Sequence, residues 1–210
     1  MKKCMAANWK MFKTKKEAVE TVKNLESSIN SNLHPDREVV VFPPFTAISA
    51  VSEALSDNSV IKIGGQNFYP ASEGAYTGEI SPDMLLDLDC TYALVGHSER
   101  RHIIQESEEL ISQKLDFGLK SGLKIILCIG ETLEERNQGK LEQVLKRQLS
   151  VLNELTVENV STGVDIAYEP VWAIGTGEVA EPGDIEEAHK LVRSLLKETY
   201  PEEAETMRIL

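Results

Sequence analysis

Cysteine is scarce in this sequence. Cys4, Cys90 and Cys128 are odd in number, far apart and without CxxC spacing, which excludes a disulfide-rich scaffold. Their apolar neighbours make them buried, reduced thiols of a cytosolic protein, with a reactive thiol as the alternative. No apolar run approaches the roughly 18 residues that a membrane span needs. Lys2 and Lys3 are followed by only a short apolar stretch before Asn8 and Lys10, so neither a signal peptide nor a targeting tail is expected. Basic residues are also in deficit. Lys and Arg number 22 against 34 Asp and Glu, a net charge of −12, which disfavours nucleic-acid binding because phosphate contacts need a clustered basic face. A small anion can still be held where a few positive groups converge. What is present is a chain of 210 residues, 41% hydrophobic and 27% charged, enough apolar content for a sizeable core.

Two periods alternate along the chain. Short β-branched or apolar runs lie at Cys4–Ala7, Glu38–Phe42, Val60–Gly64, Tyr92–Val95, Lys124–Ile129 and Val164–Tyr168, with a last run at Met207–Leu210. Helical stripes lie between many of them: Val19, Val22, Leu25 and Ile29; Leu141, Val144, Leu145, Leu149 and Leu152; Ile185, Ala188, Leu191, Val192 and Leu195. Thr14 with Glu17, and Thr132 with Glu135, have capping-box spacing, and Ser81 before Pro82 reads as an N-cap with proline at the first helical position. Alternating strand and helix units predict an α/β fold with a parallel sheet covered by helices, its strands buried on both faces.

Two such architectures compete. A doubly wound open sheet wants a glycine-rich phosphate turn after its first strand. Here Asn8-Trp9-Lys10 follows instead. Polar residues gather just past the C-terminal ends of several strands: Asn8 and Lys10, Gln66 and Asn67, His97 to Arg100, Gly130 and Glu131, and Glu169. A (β/α)8 barrel brings such positions to one site.

Four segments sharpen this reading. They are Ala7-Asn8-Trp9-Lys10; Gly65-Gln66-Asn67 through Gly74-Ala75-Tyr76-Thr77-Gly78-Glu79-Ile80-Ser81; Val95-Gly96-His97-Ser98-Glu99-Arg100-Arg101; and Ala167-Tyr168-Glu169-Pro170-Val171-Trp172-Ala173-Ile174-Gly175-Thr176-Gly177. In this order, each at the end of a strand, they resemble the triosephosphate isomerase family along the whole chain, 1–210. The resemblance implies a TIM (β/α)8 barrel and interconversion of dihydroxyacetone phosphate and D-glyceraldehyde 3-phosphate in glycolysis and gluconeogenesis, with no metal and no cofactor. Carried over position by position, Glu169 resembles the base and His97 the electrophile. Lys10 and Asn8 resemble substrate-binding groups, and Gly175 the glycine whose backbone N–H meets the phosphate. The same resemblance implies a cytoplasmic homodimer, with the loop around Thr77 reaching a neighbouring subunit.

The chemistry explains these residue types. A weak carbon acid beside a carbonyl needs a positioned carboxylate to remove its proton. The enediolate that forms carries negative charge on oxygen, which His97 can meet with a hydrogen bond and Lys10 with a fixed charge. In the family the histidine works as neutral imidazole, and the helix start at Ser98-Glu99-Arg100 disfavours a cation beside it. A lid from Pro170 to Gly177 would close over the intermediate and exclude water.

Other residues read less sharply. Glu99 either orients Lys10 or pairs with Arg100 or Arg101. His34, His102 and His189 read as surface residues. Trp9 and Trp172 read as packing residues, Trp172 within the lid. The charge run Glu131–Arg136 reads as a solvated helix face, and Glu178 as exposed. The chain departs from the family at its end. A barrel of this kind runs to ~250 residues, whereas here the expected seventh strand is the last segment. The expectation is therefore one barrel domain, C-terminally incomplete, lacking the last βα region with its phosphate loops. A truncated relative that acts by association, if at all, is the alternative to an enzyme. A barrel acting on some other sugar phosphate is a third reading.

Overall fold

The computed structural model describes residues 2–174 and 177–210. The chain divides into two compact units, one of residues 1–94 and 117–125, the other of residues 95–116 and 126–210.

The first unit holds β1 (Lys3–Asn8), α1 (Lys15–Ile29), β2 (Arg37–Phe42), α2 (Phe45–Ala54), β3 (Ile61–Gly65), α3 (Pro82–Leu86) and β4 (Cys90–Val95), whose last residue opens the second unit. The strands are neighbours in chain order, and each pairing is parallel, with Ala6 opposite Val40, Val41 opposite Ile63 and Gly64 opposite Tyr92. Helices between consecutive strands make this possible, since parallel neighbours need a crossover. Val40, Val41, Phe42, Ala47, Val51 and Tyr92 form the buried centre. Ser81 accepts from the Met84 N–H and starts α3 as its sequence predicts. Glu17 accepts from the Thr14 N–H at 2.7 Å, which starts α1. Only Ala18 and Val22 of α1 are fully buried; Val19, Leu25 and Ile29 are half-buried. β1 departs from the expectation of strands covered on both faces. It pairs with β2, and Met5, Ala6 and Ala7 stand exposed.

The second unit holds α4 (Ser98–His102), most of α5 (Glu108–Lys120) and of β5 (Lys124–Ile129), then α6 (Leu133–Asn137), α7 (Leu141–Leu149), α8 (Val157–Gly163), β6 (Val164–Tyr168) and α9 (Pro182–Thr199). β5 and β6 are neighbours, and the Glu169 N–H continues their ladder to the Ile129 carbonyl at 2.7 Å. α7 and α9 pack together, burying Val144, Leu145, Leu149, Ala188, Val192 and Leu195. Thr132 and Glu135 form the reciprocal capping box that their spacing predicts. The expected seventh strand is reduced to one bridge. Met207–Leu210 reaches β6 through the Ile166, Leu210 and Tyr168 N–H groups, but only Ile209 is paired, with Ile166. A run of turns at 201–206 precedes this approach. Among the described residues, no helix is long and apolar enough to cross a membrane.

Candidate active site

Within the second unit, the ends of β4 and β6 bring His97 and Glu169 together. Nε2 of His97 lies 2.8 Å from Oε1 of Glu169. The other carboxylate oxygen, Oε2, accepts the Ser98 backbone N–H at 2.8 Å. Nδ1 of His97 accepts the Glu99 N–H at 3.2 Å. A nitrogen that accepts carries no proton, so the proton sits on Nε2 and points at Glu169. In this tautomer the nitrogen that faces the carboxylate is the donor. His97 is buried, and its own backbone carbonyl accepts from Arg100 and Arg101 as α4 begins.

Arg101 holds this corner. Its Nε donates to the Gly96 carbonyl at 2.6 Å, Nη2 to the Cys128 carbonyl at 3.3 Å, and Nη1 to Glu108 at 2.7 Å. Gly96 has φ +72, and a Cβ there would stand 2.7 Å from the Arg101 guanidinium. The left-handed φ favours glycine there. Arg100 pairs with Glu106 at 2.7 Å and Arg101 with Glu108 at 2.7 Å. The Glu99 carboxylate approaches His97 Nδ1 to 3.7 Å, beyond hydrogen-bond reach.

The charge run Glu131–Arg136 is a solvated face only in part: Leu133 and Glu134 are exposed, but Glu131 is not. Glu131 is fully buried, and both its oxygens lie within hydrogen-bond distance of the Tyr168 hydroxyl. Arg136 donates to Glu131 at 3.1 Å, bonds Asp184 on α9, and lays its guanidinium 4.3 Å from the centre of the Trp172 ring. Burial and the Glu131 carboxylate together push the Tyr168 phenol well above its ordinary range. Counting charges along the chain hides this network, because its acceptor and donor lie far apart in sequence. Trp172 packs as expected, buried in a short turn, Val171–Ala173. His189 is no plain surface residue. It is half-buried, meets the Tyr168 ring edge-on, and burial lowers its pKa despite a backbone bond to Leu210. His34 and His102 are exposed, as is Glu178. Gly175 and Thr176 lie outside the described residues.

In the first unit, Lys10 sits in a strained turn with φ +51. Its N–H is taken by the Asn8 side chain at 2.9 Å, and the Gln66 amide donates to the carbonyls of Lys10 at 2.8 Å and Phe42 at 2.9 Å. Asn8 thus shapes the turn that presents Lys10, and Gln66 fastens it to the end of β2. Over residues 66–81 the Tyr69 and Tyr76 rings lie 4.3 Å apart, while Thr77 is exposed.

The family model described as triosephosphate isomerase matches residues 3–210. A triosephosphate isomerase from Nitratidesulfovibrio vulgaris (strain DSM 19637 / Miyazaki F) is 54% identical across all of this chain and 84% of its own length. One from Oleidesulfovibrio alaskensis is 50% identical with the same two coverages. A third, from Dictyoglomus thermophilum, is 46% identical over 96% of this chain and 80% of its own. Identity this high, sustained from one end of the sequence to the other, places the chain in the triosephosphate isomerase family.

Proposed function

We propose that this chain interconverts dihydroxyacetone phosphate and D-glyceraldehyde 3-phosphate through an enediolate, with Glu169 as the base, His97 as the electrophile and Lys10 as the fixed cation. The observation that carries the assignment is the 2.8 Å pair of His97 Nε2 and Glu169 Oε1, just past the ends of β4 and β6. A substrate that enters takes over both partners. Its carbonyl oxygen replaces the carboxylate as acceptor of the Nε2 proton, and the freed Glu169 removes the proton from the adjacent carbon. Glu169 returns that proton to the neighbouring carbon while the hydroxyl proton passes from one substrate oxygen to the other, which completes the isomerisation and leaves the base as it began. Asn8 and Lys10 form the substrate-binding turn, and the Gly175 N–H meets the phosphate.

A homodimer through the loop around Thr77 belongs to the same reading, supported by the exposed Met11, Phe12 and Tyr76 of the first unit. So does a cytoplasmic location, supported by buried free Cys90 and Cys128. A non-catalytic relative acting by association is disfavoured by identity of 50–54% along the whole chain to isomerases.

The test is a coupled assay of the full chain with D-glyceraldehyde 3-phosphate. Glu169→Gln keeps the shape and removes the base, so turnover is expected to fall by about a thousandfold or more with circular dichroism unchanged. Turnover retained by this variant removes Glu169 from the reaction.

A further inference from the structure

Gly130 follows β5 directly, at the point where the chain passes Glu169. A Cβ on Gly130 would stand 1.8 Å from the Glu169 carbonyl oxygen and 2.9 Å from its carbonyl carbon. Both neighbours are backbone, so no side-chain rotation relieves that collision. One residue earlier, the Ile129 carbonyl accepts the Glu169 N–H at 2.7 Å. The Glu169 main chain is thus bonded to one residue and pressed against the next. What holds Gly130 still comes from α7. The Gly130 N–H donates to the Gln148 side-chain oxygen at 2.7 Å, and the Gln148 amide nitrogen donates to the Gly130 carbonyl at 3.1 Å. Gln148 is 1% exposed. It lies on the buried face of α7 between Leu145 and Leu149, where packing alone would select an apolar residue. A primary amide can serve a backbone N–H and a C=O of one residue at once, which apolar side chains and hydroxyls of this reach cannot do.

We infer that Gln148 and Gly130 are positioning residues for the isomerase reaction, acting together to fix the main chain of Glu169. This rests on the reading of Glu169 as the base. Gln148 clamps the Gly130 peptide, and the bare α-carbon of Gly130 sets how closely Glu169 can lie to β5. That closeness fixes where the carboxylate meets His97 and the Ser98 N–H. Neither residue touches substrate, so both act on the chemical step and not on ground-state binding.

The experiment compares full-chain Gly130→Ala, Gln148→Met and Gly118→Ala by steady-state kinetics, with the Ser98 amide resonance as a second readout. Gly118 is the control for steric intrusion. A Cβ there would come within 2.6 Å of the Phe68 ring, remote from Glu169 in the sequence and in the first unit. Displacement of a reacting group by about 1 Å can cost about a hundredfold in rate. Gly130→Ala is expected to lower kcat about a hundredfold and Gln148→Met about tenfold, with KM within about twofold. Both should shift the Ser98 amide, which donates to Glu169. Gly118→Ala should leave kcat of the folded protein and the Ser98 resonance unchanged. The inference is overturned if folded Gln148→Met keeps kcat and the Ser98 resonance, or if Gly118→Ala reproduces the losses. Where Gly130→Ala does not fold, Gln148→Met decides alone. Glu169→Gln in the same assay separates the two levels. If it is inactive while the positioning variants are not, only this inference falls. If it is active, the base assignment falls first and takes the inference with it.

Discussion

The hydroxyl of Tyr168 stands 3.0 and 2.9 Å from the two carboxylate oxygens of Glu131. Tyr168 immediately precedes Glu169, so a buried carboxylate holds the side chain next to the proposed base. Arg136 donates to Glu131 and is in turn bonded to Asp184 and laid on Trp172. A buried network of this kind stabilises only while its members are satisfied. Tyr168→Phe keeps the ring and removes one donor from a fully buried carboxylate. The expected cost is about 1–3 kcal/mol, read as a lower urea midpoint with unchanged slope. An unchanged midpoint would show that the phenol contributes nothing to the network.

The cysteines make a prediction with a sign. Burial, aided by the Asp89 carboxylate, pushes the Cys90 thiol from 9.0 up to about 12, and burial raises Cys128 well above the same value. A folded state that holds the Cys90 proton more tightly than the unfolded chain is stabilised by it below pH 9. That contribution drains away as pH rises from about 9 toward about 12. Stability measured between pH 8 and 10.5 should fall more steeply for the parent chain than for Cys90→Ala. Equal slopes would place the thiol in a wetter setting than its burial implies. The same protection orders thiol reactivity, since thiolate is the nucleophile. At pH 8 an exposed-thiol reagent should modify half-buried Cys4 first, with Cys90 and Cys128 reacting only on unfolding.

Much of the fold lies open in the sequence for physical reasons. Lys124–Ile129 and Val164–Tyr168 match β5 and β6 residue for residue, because strands of a parallel sheet buried on both faces are rich in apolar residues. Thr132 with Glu135 and Ser81 with Pro82 start helices because their bonds are local. His97 and Glu169 were found through their flanking residues, and the structure sets them in contact. What stayed hidden is long-range. Glu131 reads as solvated until Tyr168, 37 residues on, supplies its donor. Gln148 bonds a residue 18 positions away, although a lone amide on an otherwise apolar helix face is a usable warning. Arg101 in its motif gives no hint that it reaches the Cys128 carbonyl on β5.

Glu106 carries the last prediction. Its side chain is 4% exposed, and one oxygen, Oε1, accepts from Arg100 at 2.7 Å and from Lys114 at 2.5 Å. Oε2 is buried with no hydrogen-bond partner among the described residues. Lys114 is as deeply buried as the carboxylate it meets. Removing one member of a buried ion pair costs more than the pair contributes, because the remaining charge keeps its desolvation penalty. Glu106→Gln should therefore destabilise the fold by about 3 kcal/mol, and Lys114→Met by a similar amount. The double variant removes both charges together and should lose much less than the sum of the two singles. A double-mutant cycle from urea midpoints reads that difference as a coupling energy, expected at about 1–3 kcal/mol. Additive losses would mean that Arg100 alone satisfies Glu106 and that the short contact to Lys114 contributes no stability.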